Sequence, residues 1–348
     1  MKKRILVAPL NWGLGHATRC IPIINALIEH NFTPIIASDG DALNLLKKEF
    51  PNEIFDELPP YNVTYAKKGN WFKWKLIMNS PKLLNAINEE RKATKLLIEK
   101  YGVNGIISDN RLGVCCKKVP SIFITHQLNV LSGNTTWLST KVHQKIIKKF
   151  DECWVPDNEK NPNLSGKLGH TETLELATKY IGPLSRFEKK NLEIAYDLMV
   201  LLSGPEPQRT MLEEKLLEEL SAFNGKILFV KGKIEANKTV IEKGPFTIHN
   251  FMQSKALENA INSSKFILSR SGYTTVLDLA KIGKKAFFIP TPGQFEQEYL
   301  AERLDELRLV PTCNQDDFKV ELLNKIEQYK GLDLEHTEPD FKELFSLF

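Results

Sequence analysis

The stretch from Ser269 to Gln297 constrains the fold of this 348-residue chain most strongly, because it reads as one β–α–β unit. The run 265–268 is typical of a short strand, and 274–282 has the apolar spacing of a helix. Gly283 suits the end of that helix, and 286–289 is typical of a buried strand. Strands that alternate with helices run parallel, so this stretch predicts an α/β fold.

The turn between the first of these strands and its helix is rich in small residues and predicts an anion site. A helix N-terminus offers backbone N–H groups and the positive end of the helix dipole to an anion. The residues of this predicted cradle are Arg270, Ser271, Gly272, Tyr273, Thr274 and Thr275.

Polar side chains beyond the cradle predict that the ligand also carries a sugar. Asp278 lies farther along the helix, where it either faces solvent as an ion-pair partner or reaches a ribose hydroxyl. Glu296 and Gln297 follow the second strand, on a predicted loop at the carboxyl edge of the sheet, where α/β folds bind ligands. Each of these residues alone fits an ordinary surface position, whereas their spacing as a group favours a ligand with both phosphate and sugar.

Strands alternate with helical stretches in two series along the chain. The first begins with a strand at 4–9, a glycine-containing turn, a helix at 17–30 and a strand at 33–38. The second begins at residue 197, after a charged stretch typical of a linker. The predicted fold is therefore α/β, with two doubly wound, Rossmann-like domains facing each other across a cleft. The predicted divisions are an N-terminal domain at 1–184, a linker at 185–196, a C-terminal domain containing the cradle at 197–330, and a tail at 331–348 that packs near the interdomain region.

Composition excludes several classes of function. The hydrophobic content of 42% and charged content of 26% are typical of a globular protein, and no apolar run approaches the ~20 residues that cross a bilayer. A net charge of +4 gives no reason to expect a nucleic-acid partner. The five cysteines have no zinc-site spacing. Because they are few and odd in number, they predict a reducing, cytoplasmic location.

The turn at 13–16, before the first predicted helix, indicates a catalytic base. Gly13 and Gly15 allow a sharp turn and a close approach to a ligand, but the third glycine of a dinucleotide fingerprint is missing. Because a helix dipole disfavours positive charge on His16, the pattern predicts a neutral general base. Asp109 ends a later strand and is expected to orient the imidazole. A capping histidine and a turn aspartate stay open as alternatives.

Two other segments have compositions found in metal sites and in membrane-contact segments. Asp39 and Asp41 resemble an acid pair that holds a metal in other folds, but an Asx turn or helix cap explains them, and no metal site is predicted. Trp71, Phe72 and Trp74 stand among lysines, a composition found in interfacial segments. Peripheral membrane contact and ordinary core packing are both open for that segment.

With these features in place, the chain resembles the GT-B nucleotide-sugar glycosyltransferases, most of all the branch that forms lipid II by N-acetylglucosaminyl transfer. That branch has an Arg-Ser-Gly turn, a helix with an acid, and a proline-rich loop with an acid/amide pair. The stretches 270–272 and 296–297 occupy the first and last positions, and Asp278 stands where the family has Glu. The resemblance further implies the following sites: uracil contact by Phe251 and Met252, donor contact by Ser203 and Gly204, and acceptor contact by Gly13, Gly15, His126 and Gln127.

A related resemblance, to glycosyltransferases acting on small lipophilic acceptors, implies the mechanism. There the histidine of a Gly-His turn is the base and a later aspartate orients it, and His16 and Asp109 follow that order. The expected activity is inverting, metal-independent transfer from a UDP-sugar, such as UDP-N-acetylglucosamine or UDP-galactose, to a hydroxyl of a lipid-linked or glycan acceptor. No cofactor is expected, and the expected location is cytoplasmic with peripheral contact at the inner face of the membrane.

Three other functions stay open at the level of sequence. A nucleotide-sugar epimerase shares the two-domain architecture, but would need more acidic groups in the cleft and would act without an acceptor. An NAD-linked dehydrogenase would need the missing third glycine. A non-catalytic nucleotide-sugar-binding protein would bind UDP-sugar yet release no UDP when given acceptors.

Overall fold

Two largely parallel sheets organise the chain, each within its own unit. The computed structural model describes residues 2–61, 81–131, 136–171, 176–233 and 237–348. One unit holds the described residues up to Arg186 together with His336–Phe348, and the other holds Phe187–Glu335. The stretch predicted as a linker thus lies largely inside the second unit, where Phe187 is only 1% exposed. Most of the predicted tail belongs to the first unit.

The first unit alternates strands and helices, as the sequence predicts. Its strands are β1 (Arg4–Pro9), β2 (Thr33–Ser38), β3 (Ile54–Glu57), β4 (Gly105–Asp109), β5 (Ser121–Ile124), β6 (Glu152–Val155) and β7 (Thr178–Tyr180). Its helices include α1 (Gly15–Glu29), α2 (Gly40–Glu49), α3 (Pro81–Tyr101) and α4 (Thr136–Ile147). Across the described residues the strand order is β3-β2-β1-β4-β5-β6-β7, with every neighbouring pair parallel.

The second unit repeats this arrangement with one antiparallel edge. Its strands are β8 (Tyr196–Leu201), β9 (Ile227–Val230), β10 (Val240–Lys243), β11 (Phe246–His249), β12 (Ser264–Ser269) and β13 (Ala286–Phe288). Its helices include α5 (Gln208–Glu219), α6 (Ser254–Asn262), α7 (Tyr273–Ile282) and α8 (Phe295–Glu306), followed by a 3₁₀ segment at Val320–Gln328. The order is β10-β11-β9-β8-β12-β13 in the described part, and only the β10–β11 pair there is antiparallel.

The predicted α/β fold with two doubly wound sheets is confirmed. The strands expected at 4–9 and 33–38 have those bounds in the structure, and Asp109 ends a strand as expected. The edge strands β3, β7 and β10 and the helices α2, α4 and α8 were not predicted. Short edge strands bury little, and their sequences carry weak periodicity, so pattern alone does not reveal them.

Burial on both faces explains why the central strands are so apolar. In β1, Ile5 and Val7 pack on the face that α1 covers, while Leu6 and Ala8 pack on the opposite face with Val103. Successive side chains of a strand point to opposite faces of the sheet, so a strand covered on both sides needs an unbroken apolar run. The charged and polar residues that follow these strands therefore emerge at one edge of the sheet.

An aromatic cluster from the last residues of the sequence completes the core of the first unit. After the short helix α9 (Phe341–Leu344), Phe345 is 3% exposed and contacts Phe32, with ring centroids 5.6 Å apart. Its ring also lies 6.4 Å from the Trp154 ring on β6. This segment buries its aromatic face within the first unit.

The proposed membrane-contact residues Trp71, Phe72 and Trp74 lie outside the described residues, so that contact stays a prediction. None of the helices in the described part of the chain has both the length and the apolar content that a membrane span requires.

Replacing Phe345 with Ala should destabilise the protein by about 3–5 kcal/mol, because a buried aromatic ring is lost and a cavity remains. The exposed neighbour Lys342 is the control, and its replacement by Ala should change stability by less than about 0.5 kcal/mol. Urea denaturation of both variants measures the difference. Equal stability of the two variants would show that the aromatic segment does not complete this core.

Candidate active site

The loop between β1 and α1 places His16 at the start of a helix. Gly13 has a φ of 68°, a left-handed conformation that favours glycine, and an added Cβ there would meet no atom within 4 Å. The helix begins at Gly15, so His16 stands in its first turn. The loop thus combines a sharp turn, open space beside the backbone and a histidine, as the sequence predicts.

His16 and Asp109 form the predicted pair. The strands β1 and β4 are neighbours with Pro9 opposite Asp109, which brings the end of β4 beside the β1–α1 loop. The His16 Nδ1 atom lies 2.7 Å from Asp109 Oδ1, and the His16 side chain is 18% exposed whereas that of Asp109 is fully buried. The structure therefore brings together the two residues that the sequence assigns to catalysis.

Asp109 remains ionised in spite of its burial. Burial alone raises the pKa of the carboxyl, but the charges of Arg19 and His16 and their hydrogen bonds hold the pKa of Asp109 below its ordinary value. Arg19 donates from Nε to Asp109 Oδ2 at 2.7 Å and from Nη2 to Asp109 Oδ1 at 2.5 Å. Asn110 adds a hydrogen bond from Nδ2 to Oδ1 at 3.2 Å.

The sequence did not indicate that Arg19 belongs to this site. Its side chain is 1% exposed, and a buried arginine is rare unless it is paired. The available signal was its spacing from His16, since residues three apart on a helix lie on the same face. What the sequence could not show is that a guanidinium faces Asp109, because that contact joins α1 to the end of β4.

His126, predicted on the acceptor side, belongs to the same cluster. It follows β5, and Arg19 Nη1 lies 3.1 Å from its Nδ1 atom. The backbone N–H of the predicted neighbour Gln127 donates to Thr125 Oγ1 at 3.0 Å. Near His126 lies His143 of α4, and burial lowers the pKa of His143 to about 4, so its imidazole is neutral at pH 7.

A second buried ion-pair network surrounds Arg111 and accounts for Asp39. Arg111 is fully buried, donates to Asp39, and donates from Nη1 to Glu90 Oε1 at 2.9 Å. Asp39 also accepts from Asn11 Nδ2 at 3.0 Å, which ties the β1–α1 loop to the start of α2. Asp39 is thus an ion-pair partner beside a helix N-terminus. Nowhere in the described ranges do three His, Cys, Asp or Glu side chains gather as a metal site would require.

The second unit contains the predicted anion cradle at the N-terminus of α7. Gly272 is the N-cap residue, and a Cβ added to it would meet no atom within 4 Å. Ser271 is fully buried, and its hydroxyl donates to the carbonyl oxygen of Gln297 at 2.7 Å. The first turn at 273–275 carries the backbone N–H groups that a helix leaves without intrahelical partners. This geometry has space and donors for an anion.

Arg270 lies elsewhere than predicted. Its guanidinium is turned into the unit, where Nη1 donates to the carbonyl oxygens of Ile289 and Pro290, and Nη2 donates to that of Gln208 and to Gln315 Oε1. Burial lowers the pKa of Arg270 to about 10, so the group is still charged at neutral pH. Its Nη atoms are used in these bonds, so the direct contact with an anion that the sequence predicts for this side chain stays a prediction.

The acid/amide pair also differs from its prediction, because Glu296 and Gln297 stand in the first turn of α8 and not on a loop. Gln297 Oε1 accepts from the backbone N–H of Thr291 at 2.9 Å, and its amide donates to Gln294 at 2.6 Å. Gln297 thus fixes the turn before the helix. The sugar contact predicted for Glu296 stays a prediction.

The remaining predicted donor residues all follow strands of the second sheet. Phe251 and Met252 lie between β11 and α6, and Ser203 and Gly204 lie between β8 and α5. Gly204 has a φ of 105°, and Asp278 on α7 is 9% exposed. These positions share the carboxyl edge of the sheet, where ligands bind in folds of this kind.

Three buried polar atoms near this edge have no hydrogen-bond partner in the described part of the chain: Gln208 Oε1, Arg270 Nε and Thr291 Oγ1. They are neighbours, since Arg270 bonds to the backbone of Gln208 and of Pro290, the residue before Thr291. Most buried polar atoms are paired, so unpaired atoms of this kind are candidates for contact with a water or a ligand. Sequence reasoning gave no signal for Thr291.

The sequence relatives and solved structures that this chain resembles are glycosyltransferases. Residues 207–332 match the family model described as the glycosyltransferase family 28 C-terminal domain. A stretch of 261 residues is 27% identical to the UDP-N-acetylglucosamine–N-acetylmuramyl-(pentapeptide) pyrophosphoryl-undecaprenol N-acetylglucosamine transferase of Buchnera aphidicola, covering 72% of this chain and 69% of that protein. Proteins of the same name from Haemophilus ducreyi and Glaesserella parasuis are 22% and 24% identical, and the match covers 65% and 66% of their lengths and 67% and 72% of this chain. The matched region thus spans about two thirds of these relatives.

Solved structures agree in fold at low sequence identity. The glycosyltransferase SnogD from Streptomyces nogalater has a TM-score of 0.65 and 10% identity, with full coverage of both chains. MurG of Acinetobacter baumannii has a TM-score of 0.59 and 13% identity over 100% of this chain and 99% of its own. Together with the matched domain and the relatives, they show a glycosyltransferase of the GT-B fold that resembles the lipid II-forming N-acetylglucosaminyltransferases.

Replacing Asp109 with Asn should destabilise the protein at pH 7 by about 3–5 kcal/mol, because Arg19 would remain buried without its ionic partner. The pKa of Asp109 is lower in the folded chain than in the unfolded chain. Its contribution is therefore fully present above about pH 5 and is lost as the pH falls through the ordinary carboxyl range and below.

Unfolding of both proteins by urea at several pH values measures this contribution. The difference between wild type and Asp109→Asn should be constant from pH 7 to about pH 5 and shrink below about pH 4. A difference that stays the same down to the lowest pH would contradict an ionised, ion-paired Asp109.

Proposed function

We propose that this glycosyltransferase transfers a sugar from a UDP-sugar to a hydroxyl of a lipid-linked acceptor, with inversion at the anomeric carbon and without a metal ion. The observation that carries the proposal is the His16–Asp109 pair in the β1–α1 loop, beside open space at Gly13. The relatives support the substrate classes, since their names specify a UDP-sugar donor and a pyrophosphoryl-undecaprenol acceptor. UDP-N-acetylglucosamine is the donor those names favour, and UDP-galactose is the alternative.

His16 has the geometry of a general base. Asp109 accepts from the Nδ1 side of the ring at 2.7 Å, which leaves the Nε2 lone pair to receive a proton. The ring is partly exposed whereas Asp109 is fully buried, so substrate reaches the histidine and not the carboxylate. When the imidazole takes the proton, the adjacent carboxylate stabilises the positive charge that forms.

Inversion follows from a single displacement. The acceptor oxygen forms a bond to the anomeric carbon as the bond from that carbon to the β-phosphate oxygen breaks on the opposite face. The hydroxyl proton goes to His16 Nε2, and UDP leaves with the bonding electron pair. The product keeps the inverted configuration because no covalent intermediate with the protein forms.

The cradle at α7 is suited to stabilise the departing diphosphate. Backbone N–H groups of the first turn and the positive end of the helix dipole face the open space at Gly272. The buried charge of Arg270 adds positive potential behind them. These groups supply the charge stabilisation for which many sugar transferases use a metal ion.

Other residues of this edge fit the remaining parts of the donor. Asp278 is assigned to the ribose, Phe251 and Met252 to the uracil, and Glu296 to the sugar hydroxyls. The unpaired atoms of Gln208 and Thr291 are further partners for polar groups of the donor. Peripheral membrane contact through the segment 71–74, on the cytoplasmic side, would bring the enzyme to a lipid-linked acceptor.

Replacing Gly272 with a larger residue should weaken UDP binding without destabilising the fold. The backbone of Gly272 has a φ of −68°, which any residue adopts, and its Cβ would project into open space. Gly272→Ala should weaken UDP binding modestly and Gly272→Val by about tenfold or more, measured by calorimetry, with thermal stability unchanged. Normal UDP affinity in the valine variant would place the nucleotide elsewhere.

Replacing His16 with Ala should lower kcat by about 10²–10⁴-fold with little change in UDP affinity, because the base is lost while the donor site remains. The measurement is UDP release with UDP-N-acetylglucosamine or UDP-galactose and a lipid-linked acceptor, with GDP- and dTDP-sugars for comparison. EDTA should leave the wild-type rate unchanged.

Near-normal turnover by His16→Ala would contradict the assignment of His16 as the general base. UDP-sugar binding without UDP release in the presence of acceptors would favour a non-catalytic binding protein. Interconversion of donor sugars without an acceptor would favour an epimerase, and activity with GDP- or dTDP-sugars alone would overturn the uridine assignment.

A further inference from the structure

Arg19 contacts three residues of the polar cluster in the first unit: Asp109, His16 and His126. Its Nε and Nη2 atoms donate to the two oxygens of Asp109, and Nη1 lies 3.1 Å from His126 Nδ1. Its Nη2 atom also lies 3.0 Å from His16 Nδ1. One planar guanidinium therefore joins a carboxylate and two histidines in fixed directions.

The chemistry of the guanidinium fixes the protonation of His126. An arginine side chain has only N–H donors, so His126 Nδ1 must be the acceptor in this contact and carries no proton. Neutral His126 therefore carries its proton on Nε2. Neighbouring His143 is neutral at pH 7, because burial lowers its pKa to about 4, and brings no competing charge.

The carboxylate fixes the opposite arrangement in His16. Ionised Asp109 can only accept, and it lies 2.7 Å from His16 Nδ1. Two acceptor atoms at that distance would repel each other, so Nδ1 must carry the proton. The Arg19 Nη2 atom does not need His16 as its acceptor, since it already donates to Asp109 Oδ1 at 2.5 Å.

We propose that Arg19 is a positioning residue that sets the tautomer of His126, opposite to the tautomer that Asp109 sets on His16. His16 then offers the lone pair of Nε2 as a base, whereas His126 carries its proton on Nε2 and can only donate from that atom. Cys20 also lies against Asp109, and burial raises the pKa of its thiol, so it stays uncharged and leaves the ion pair intact. The tautomers follow from the contacts alone, and their catalytic consequence rests on the proposed function.

The test is the ring ¹⁵N spectrum of the histidines in the full-length protein at neutral pH, without substrate. His16→Gln and His126→Gln variants assign the signals. In the wild type, His16 should show the proton on Nδ1 and His126 should show it on Nε2. A proton on His126 Nδ1 would overturn the proposal outright, whatever the activity.

Arg19→Lys tests the role of the guanidinium, because it keeps the charge but cannot donate in the same forked geometry. His126 should become a mixture of tautomers, and kcat should fall by about 10²-fold, as expected when a catalytic group is misplaced, while KM for the donor changes little. An unchanged His126 tautomer in this variant would also overturn the proposal.

Arg111→Lys is the matched control, since Arg111 is another buried, ion-paired arginine of the same unit and the structure shows it bonded to Asp39 and Glu90. It should lose stability as Arg19→Lys does, yet keep both tautomers. The activity of His16→Ala distinguishes a failure of the proposed function from a failure of the proposed role of Arg19. Opposite tautomers combined with normal His16→Ala turnover would contradict the proposed base but not the role of Arg19 in setting the tautomer of His126.

Discussion

The buried ion pair between Asp109 and Arg19 determines the organisation of the first unit's site. A carboxylate that is fully removed from water is costly unless charge and hydrogen bonds compensate, and here a forked guanidinium and an imidazole do so. Because the pair joins α1 to the end of β4, it fixes the position of the helix that carries His16. The same contacts that make the buried charge tolerable also orient the His16 imidazole.

The candidate site of the second unit is built mainly from backbone groups and open space, whereas that of the first unit is built from charged side chains. Ser271, Gln297 and Thr291 are linked by hydrogen bonds that fix the turn before α8 beside the N-terminus of α7. The buried Arg270 holds the backbone around this turn while keeping its charge. A diphosphate has diffuse charge, and a helix N-terminus with a nearby positive group suits such a ligand better than a single surface cation.

Much of the fold could be predicted because the central strands are covered on both faces. The runs 5–8 and 105–107 are free of polar side chains, and each is bounded by a charged residue or followed by polar residues and a turn, so the strand bounds are visible in one sequence. The helix α8 could not be predicted in this way, because its first turn is polar and the residues just before it are rich in proline and glycine. Glu296 and Gln297 were assigned to a loop for that reason.

The sequence by itself determined the two β–α–β units, the histidine at a helix start and the small-residue turn at Gly272, since these depend on local spacing and backbone freedom. It also determined that Asp109 ends a strand. Only the tertiary structure decided that Arg19 faces that carboxylate, that Arg270 turns inward, and that Gln208 and Thr291 present unpaired atoms at one edge. Those outcomes depend on contacts between residues 20 to 90 positions apart, where burial and hydrogen-bond geometry choose among partners that the sequence leaves equivalent.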